Sequence, residues 1–273
     1  MKKKKGMRIA AFVLAAILIL TVLWFSNGLI GNPLSKLLAK KSAEKYIKEN
    51  FGDGVFRIES VGYDFKMTGY FVRVVCDSSR DSHFEIRTDM LGRIGGDSYE
   101  NVTNGWNTAM RIDGEYRKLT QTMLDSLPYT QDFAYGMIEY RSGDIIADMA
   151  SDDTPPYALD TRTLVLDKEY DASDVGRQAG RLYVYLWDDA PSAEKAAEML
   201  LAIRKAADDR DIGFKGIYFS LSRPKTENFY DENPLTIREF SYDDIIEENL
   251  TERVQQAIEE TTAYYAAQDA MKQ

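Results

Sequence analysis

The sequence predicts an α+β protein with an N-terminal transmembrane helix, a helix plus antiparallel meander domain with a long helix, and a second mixed α+β domain. Three observations predict this class. The chain has 273 residues, 44% of them hydrophobic, which is enough for about two domains of roughly 150 residues. Apolar residues recur at helical spacing in some segments and alternate in others. One uninterrupted apolar run lies near the N-terminus.

The charge of the chain is distributed unevenly. Residues 1–50 carry 10 basic and 2 acidic residues, a net of +8, whereas residues 51–273 carry 24 basic and 42 acidic residues, a net of −18. An acidic body of this size repels the phosphates of DNA and RNA, so nucleic acid is excluded as a partner. The single cysteine, Cys76, excludes an intramolecular disulfide.

The first element is the apolar run at residues 9–25, IAAFVLAAILILTVLWF, whose apolar character continues for several residues. A helix needs about 20 such residues to cross a bilayer, so residues 9–31 are predicted to be a transmembrane signal-anchor in contact with lipid. The lysines and Arg8 before it predict a cytoplasmic basic tail at residues 1–8. The chain is therefore predicted to be a single-pass plasma-membrane protein with an extracytoplasmic body. A cleaved signal peptide is the alternative interpretation.

The first domain is predicted at residues 32–127. Apolar spacing predicts a helix from Pro33 to about Asn50, and Pro33 suits a first helical turn because no amide donor is needed there. A long amphipathic helix is expected at 99–127, with a bend at Gly114. Three strand-like runs between these helices, separated by turns, predict an antiparallel meander: 55–65, 69–77 and 83–88.

The second domain is predicted at residues 128–273, and it is acidic. Helical spacing predicts one helix at about 191–207 and a last helix that starts at a capping Ser241. Strand-like runs interleave with them: 133–140, 162–166, 181–187, 213–222 and 234–240. Interleaved helices and strands predict a mixed α+β domain with an antiparallel or mixed sheet.

Asp81, His83 and Glu85 are the first group of candidate binding residues. Alternation along their strand places His83, the only histidine, on the solvent face with Glu85. An imidazole beside a carboxylate is suited to general-base chemistry or to sensing pH. A solvated surface histidine explains the same pattern.

Trp106, Asn107 and Arg111 are the second group, on the predicted long helix. Asn107 and Arg111 stand four residues apart, so an aromatic ring, an amide and a guanidinium share one part of the helix surface. A core tryptophan beside an ordinary surface pair is the alternative.

The strand at 181–187 carries Tyr183, Tyr185 and Trp187 on one face, which is typical either of a partner surface or of a sheet buried on both sides. No catalytic residue, metal site or cofactor is predicted. The chain lacks a G-x-S-x-G elbow, and one histidine cannot supply a two-histidine zinc motif. The acidic pairs do not form a calcium loop, because Phe214 stands where the required glycine would be.

Several short segments match the pattern of a known family: Gly31-Asn32-Pro33, Tyr46, Gly62-Tyr63, Phe65-Lys66, Asp81-Ser82-His83-Phe84, and Trp106-Asn107-Thr108 with Arg111. On these segments the chain resembles YfjL-like proteins over residues 1–127. The resemblance implies a small cell-envelope protein of Gram-positive bacteria with an N-terminal membrane helix. It brings no catalytic residue.

The anchor, the acidic body and the lack of a nucleophile, metal or phosphate motif together predict a non-catalytic binding or accessory module of the cell envelope. Its expected partner is an envelope protein or peptide. The alternative is a carboxylate-dependent enzyme that acts on cell-wall polymer, with Asp81 and Glu85 flanking the substrate.

Overall fold

A computed structural model describes residues 2–141, 154–225, 231 and 233–271. The chain divides into two compact units, Met1–Asn107 and Thr108–Gln273. The division falls just after the start of a helix, whereas the domain boundary is predicted after residue 127. The predicted α+β class with antiparallel strands is confirmed, because each unit contains a four-stranded sheet and several helices.

The N-terminal helix α1, Lys2–Ile30, differs from the prediction. Within the described part of the chain, no helix is long and apolar enough to cross a bilayer. The predicted transmembrane signal-anchor at 9–31 and the plasma-membrane localisation are therefore wrong. The described apolar side chains of α1 are exposed, Phe12 by 81%.

Helix α2, Pro33–Phe51, covers one face of the first sheet. Asn32 caps it, since the Ser35 amide donates to Asn32 Oδ1 at 2.8 Å. The strands pair antiparallel in chain order: β1 Arg57–Asp64, β2 Gly69–Cys76, β3 Ser79–Asp89 and β4 Ile94–Asp97. The core between helix and sheet consists of buried residues: Ala39, Ala43, Ile47, Tyr70, Val72, Val74, Phe84 and Ile86. Strand β4 contains Gly95-Gly96.

The predicted long helix at 99–127 is two helices, α3 Glu100–Thr103 and α4 Trp106–Leu124. The break lies at Gly105, whose φ of +79° is in the left-handed region that favours glycine. The predicted bend at Gly114 is therefore misplaced, since Gly114 lies within α4. A positive φ interrupts a helix, whereas a glycine with helical angles only lowers its stability.

The second sheet has the strand order β10-β9-β8-β5. Its strands are β5 Gln131–Ile138, β8 Gly180–Trp187, β9 Gly216–Ser222 and β10 Leu235–Ser241. Strands β8 and β9 are parallel and are joined through α6, Ala193–Asp208, while the other pairs are antiparallel. Two short strands, β6 Tyr140–Arg141 and β7 Leu159–Asp160, form a separate parallel pair.

Three elements of this unit depart from the sequence pattern. Thr161–Thr163 form a 3-10 turn capped by Asp160 where a strand is predicted. Helix α5, Ala172–Ala179, is not predicted at all, because it is short. Ser241 caps only a 3-10 turn, Tyr242–Asp244, and the last helix, α7, runs over Leu250–Met271.

Candidate functional site

The two faces of the second sheet carry different side chains. On one face of β8 the residues are buried and aliphatic: Leu182, Val184 and Leu186. On the other face they are half-buried and aromatic: Tyr183, Tyr185 and Trp187. Successive strand residues point to opposite faces, so a strict alternation produces this difference.

Five rings form what we call the aromatic face: Phe133, Tyr135, Tyr183, Tyr185 and Tyr218. Phe133 lies opposite Tyr185, and Tyr135 opposite Tyr183, in the register of β5 with β8. Their ring centroids are 4.1 and 5.1 Å apart, with interplanar angles of 21° and 11°. Tyr183 also stacks on Tyr218 of β9 at 5.9 Å. Cross-strand pairing therefore aligns the rings into one stacked set.

Stacking determines what the aromatic face offers to a partner. The rings cover one another's faces, and the Tyr183 and Tyr218 hydroxyls already form hydrogen bonds, with Glu139 and Tyr265 respectively. Phe133 is the most open member, with 46% of its surface exposed. Burial raises the pKa of the Tyr218 phenol well above its usual range, and a hydrogen bond with Tyr265 of α7 adds to this. Tyr218 thus keeps its proton at neutral pH.

A linear polar network borders the aromatic face; we call it the arginine chain, and its members in order are Tyr157, Glu239, Arg181, Glu139 and Tyr183. The Tyr157 hydroxyl donates to Glu239 Oε1 at 2.8 Å, and Arg181 Nη2 lies 2.9 Å from Glu239 Oε2. On the other side, Arg181 Nη1 lies 3.5 Å from Glu139 Oε1, to which the Tyr183 hydroxyl donates at 2.9 Å. The two carboxylates therefore share one guanidinium.

Burial and ion pairing shift the pKa values of residues in the arginine chain. The Arg181 side chain is only 7% exposed. Burial disfavours its charge, but Glu239 and Glu139 outweigh this and hold the pKa of Arg181 above its ordinary value. Burial also raises the pKa of Glu239, against the opposing influence of Arg181 and Tyr157. Pairing with Arg181 thus stabilises the charge of a carboxylate that is partly removed from water.

Gly216 of β9 provides the space for this network. A Cβ atom at Gly216 would meet the Glu239 carboxylate and would lie 2.7 Å from the Tyr157 hydroxyl oxygen. A glycine inside a strand weakens it and often marks the close approach of another group. At Gly216 that group is the Tyr157–Glu239 hydrogen bond.

A cavity of about 320 Å³ adjoins the arginine chain. Three members of the arginine chain line it, and Lys215 and Arg238 add two further cationic side chains. The rest of its wall comes from Thr154, Pro155, Pro156 and Ser241. Among the described residues, no group of three or more His, Cys, Asp or Glu side chains is placed to hold a metal ion.

The candidate residues Asp81, His83 and Glu85 lie on β3 in the first unit. His83 is half-buried, and burial together with the charge of Arg73 lowers its pKa below 6.5. Glu85 is exposed, but Asp81 is only 1% exposed. A polymer substrate cannot reach Asp81 without rearrangement of the chain, so these two carboxylates are poorly placed to flank one.

Asn107 joins the start of α4 to β3. Its side-chain amide donates to the carbonyl oxygens of Asp81 at 2.8 Å and His83 at 2.7 Å, and Asn107 is 6% exposed. These bonds satisfy buried backbone groups, which is a structural role. Trp106 is half-buried in the same unit. Arg111 belongs to the second unit, where its Nη2 donates to the Lys168 carbonyl at 2.8 Å.

The sequence pattern identified only part of this site. Alternation marked Tyr183 and Tyr185, and the same signal is present in β5 for Phe133 and Tyr135. The arginine chain was missed because the Tyr157 and Glu239 positions are 82 residues apart, and no local spacing relates them.

Two family models match the chain. One describes a YfjL-like N-terminal domain and matches residues 4–97; the other describes a YfjL-like C-terminal domain and matches residues 115–255. No curated protein and no solved structure gives a significant match. The family resemblance predicted over residues 1–127 is thus confirmed, and it extends through most of the second unit.

Proposed function

The chain belongs to the YfjL-like family, and we propose that it is a non-catalytic binding module whose aromatic face binds a peptide segment of another protein. The aromatic face is the observation that carries this proposal. A stacked, half-buried aromatic set on a sheet face is more than packing requires, because the opposite face of the same strands already supplies the core.

The chemistry of tyrosine supports this proposal. Tyrosine combines a large apolar ring with a hydroxyl, and its few side-chain torsions lose little entropy on binding, so it is enriched in interfaces. Here the rings are already held by stacking and by the Tyr183–Glu139 hydrogen bond. A surface ordered before binding loses less entropy when its partner arrives.

The charge of the second unit indicates the character of the partner. Residues 108–273 contain 18 basic and 33 acidic residues, a net of −15, while residues 1–107 contain 16 basic and 11 acidic residues, a net of +5. An acidic unit attracts basic segments and repels acidic ones over about one Debye length. We therefore expect a peptide that carries lysine or arginine.

A carboxylate-dependent enzyme is the second candidate, and one observation favours it. Glu239 lines a cavity and has a raised pKa, which is the environment of many general acids. Its carboxylate is, however, engaged by both Arg181 and Tyr157. Turnover of a cell-wall polymer that is lost in Glu239→Gln with the fold intact would favour the enzyme over the binding module.

Quantitative affinity capture of the full chain from its native cells tests the proposed function. We compare the wild type with Phe133→Ala and with the matched control Phe65→Ala, since Phe65 is 57% exposed in the first unit. Recovery of a partner that binds the aromatic face should fall about tenfold with Phe133→Ala, as expected for an interface hot spot. It should not change with Phe65→Ala. Equal recovery from both variants would refute the proposal.

A further inference from the structure

We propose that the 320 Å³ cavity beside the arginine chain is a carboxylate site that receives the free C-terminus of the bound peptide. This inference rests on the proposed function, because the ligand it names is the peptide of the aromatic face. It adds a second element of recognition, a charged chain end, to the aromatic contacts.

The charges that line the cavity are the first argument. Glu239 and Glu139 share the charge of Arg181, but Lys215 and Arg238 bring two further cationic side chains to the wall, within a unit whose net charge is −15. Lys215 also pairs with Asp243 at 3.3 Å, but the Asp243 side chain is 73% exposed and does not line the cavity. Such a surface pair is weak and leaves Lys215 able to engage an anion.

The position of Arg181 is the second argument. Its guanidinium carbon lies 5.0 Å from the ring centroid of Tyr183, and the residue also lines the cavity. One buried residue, Arg181, therefore lies beside both the aromatic face and the cavity. A peptide that lies along the rings can end in the cavity without leaving the surface of the second unit.

The donors in the cavity wall favour a carboxylate over a larger dianion. Ser241 and Thr154 bring hydroxyl groups to the wall beside Lys215 and Arg238. Hydrogen bonds from charged donors to a carboxylate are among the stronger ones in proteins. Glu239 opposes a second negative charge, so a monoanion fits better than phosphate.

The experiment compares two small probes of identical ring and backbone, N-acetyl-tyrosine and N-acetyl-tyrosinamide, on the full chain by calorimetry and ligand-observed NMR. The acid should bind saturably and about tenfold more tightly than the amide, because only the acid carries the carboxylate. Inorganic phosphate should compete less well than the acid. Equal binding of acid and amide, binding of neither, or equal competition by phosphate would overturn the proposal.

Lys215→Gln and Lys205→Gln are the matched variants. Both lysines belong to the second unit and pair with an aspartate, Asp243 and Asp209, but only Lys215 lines the cavity. Affinity for the acid should fall severalfold in Lys215→Gln and stay constant in Lys205→Gln, and equal affinities in both would count against the site. If the probes fail while Phe133→Ala still reduces recovery of the partner, the carboxylate site is wrong and the proposed function stands. If Phe133→Ala has no effect, the proposed function itself has failed.

Discussion

The two sheets of this protein share an architecture but differ in their open faces. Each has four strands and a helix-covered apolar core. Opposite α2, the first sheet carries exposed charges such as Arg73, Glu85 and Arg87, whereas the second sheet carries stacked aromatic rings. Two sheets of the same architecture thus present different surfaces, so the fold alone does not determine what each surface can bind.

The arginines of the two sheets show the same contrast in their energetics. Arg73 pairs with Glu59 at 2.9 Å, and each side chain is 46% exposed, so solvent screens the pair. Arg181 is buried between two carboxylates. Arg73 thus forms an exposed surface pair, whereas Arg181 links two carboxylates in a buried network.

The largest expected effect is that of Arg181→Met. Removing the guanidinium leaves Glu139 and Glu239 without their shared cation, which should lower the free energy of unfolding by about 3 kcal/mol, the low end of the usual range because the Glu239 side chain is 36% exposed. Arg73→Met should change it by less than about 1 kcal/mol. Denaturant unfolding measures both, and similar losses in the two variants would contradict the comparison.

Gly216→Ala should have the next largest effect. The new methyl group would collide with the Tyr157–Glu239 hydrogen bond, and overpacking of this kind costs about 1–3 kcal/mol. Gly95→Ala is the control, because a Cβ atom in that strand meets only the Arg87 carbonyl oxygen at 3.8 Å. Hydrogen exchange of β9 peptides should accelerate in Gly216→Ala. Exchange of β4 peptides should not change in Gly95→Ala. Unchanged exchange in Gly216→Ala would show that this position has room for a side chain.

Asn107→Ala should destabilise the first unit by about 1–2 kcal/mol, since the carbonyl oxygens of Asp81 and His83 lose a buried donor. Asn50→Ala removes an amide that donates to the Tyr46 carbonyl on an exposed helix end, and it should have little effect. Thermal unfolding compares the two variants. If Asn107→Ala kept its stability but lost a binding activity, Asn107 would be a binding residue rather than a structural one.

The smallest effect concerns pH and comes from His83, the only histidine, in the first unit. The folded chain lowers the pKa of His83 below 6.5, so it binds this proton less tightly than the unfolded chain. Stability should therefore fall as the pH drops from 6.5 through the lowered pKa, and His83→Gln should flatten this dependence. Because the chain has one histidine, its Hε1 and Hδ2 resonances in a proton NMR titration report the midpoint directly. A midpoint at or above 6.5 would contradict the burial of His83.

The sequence predicts the helices and strands better than it predicts contacts between residues that are distant along the chain. Alternation and helical spacing located α2, β2, β8 and α6 closely, because one buried face imposes a period on each of them. The 3-10 turn at residues 161–163 and the break at Gly105 were missed, since a cap and a positive φ leave no periodic trace. The arginine chain depends on contacts between distant segments, which spacing along the chain cannot show.

We expect the aromatic face, and not the exposed surface of the first unit, to contact the partner. Site-specific photocrosslinking tests it most directly, with a photoreactive phenylalanine analogue placed in living cells at Phe133 or at Phe65. We expect one crosslinked species of defined mass from Phe133 and none from Phe65. A crosslink from Phe65 with none from Phe133 would contradict the account.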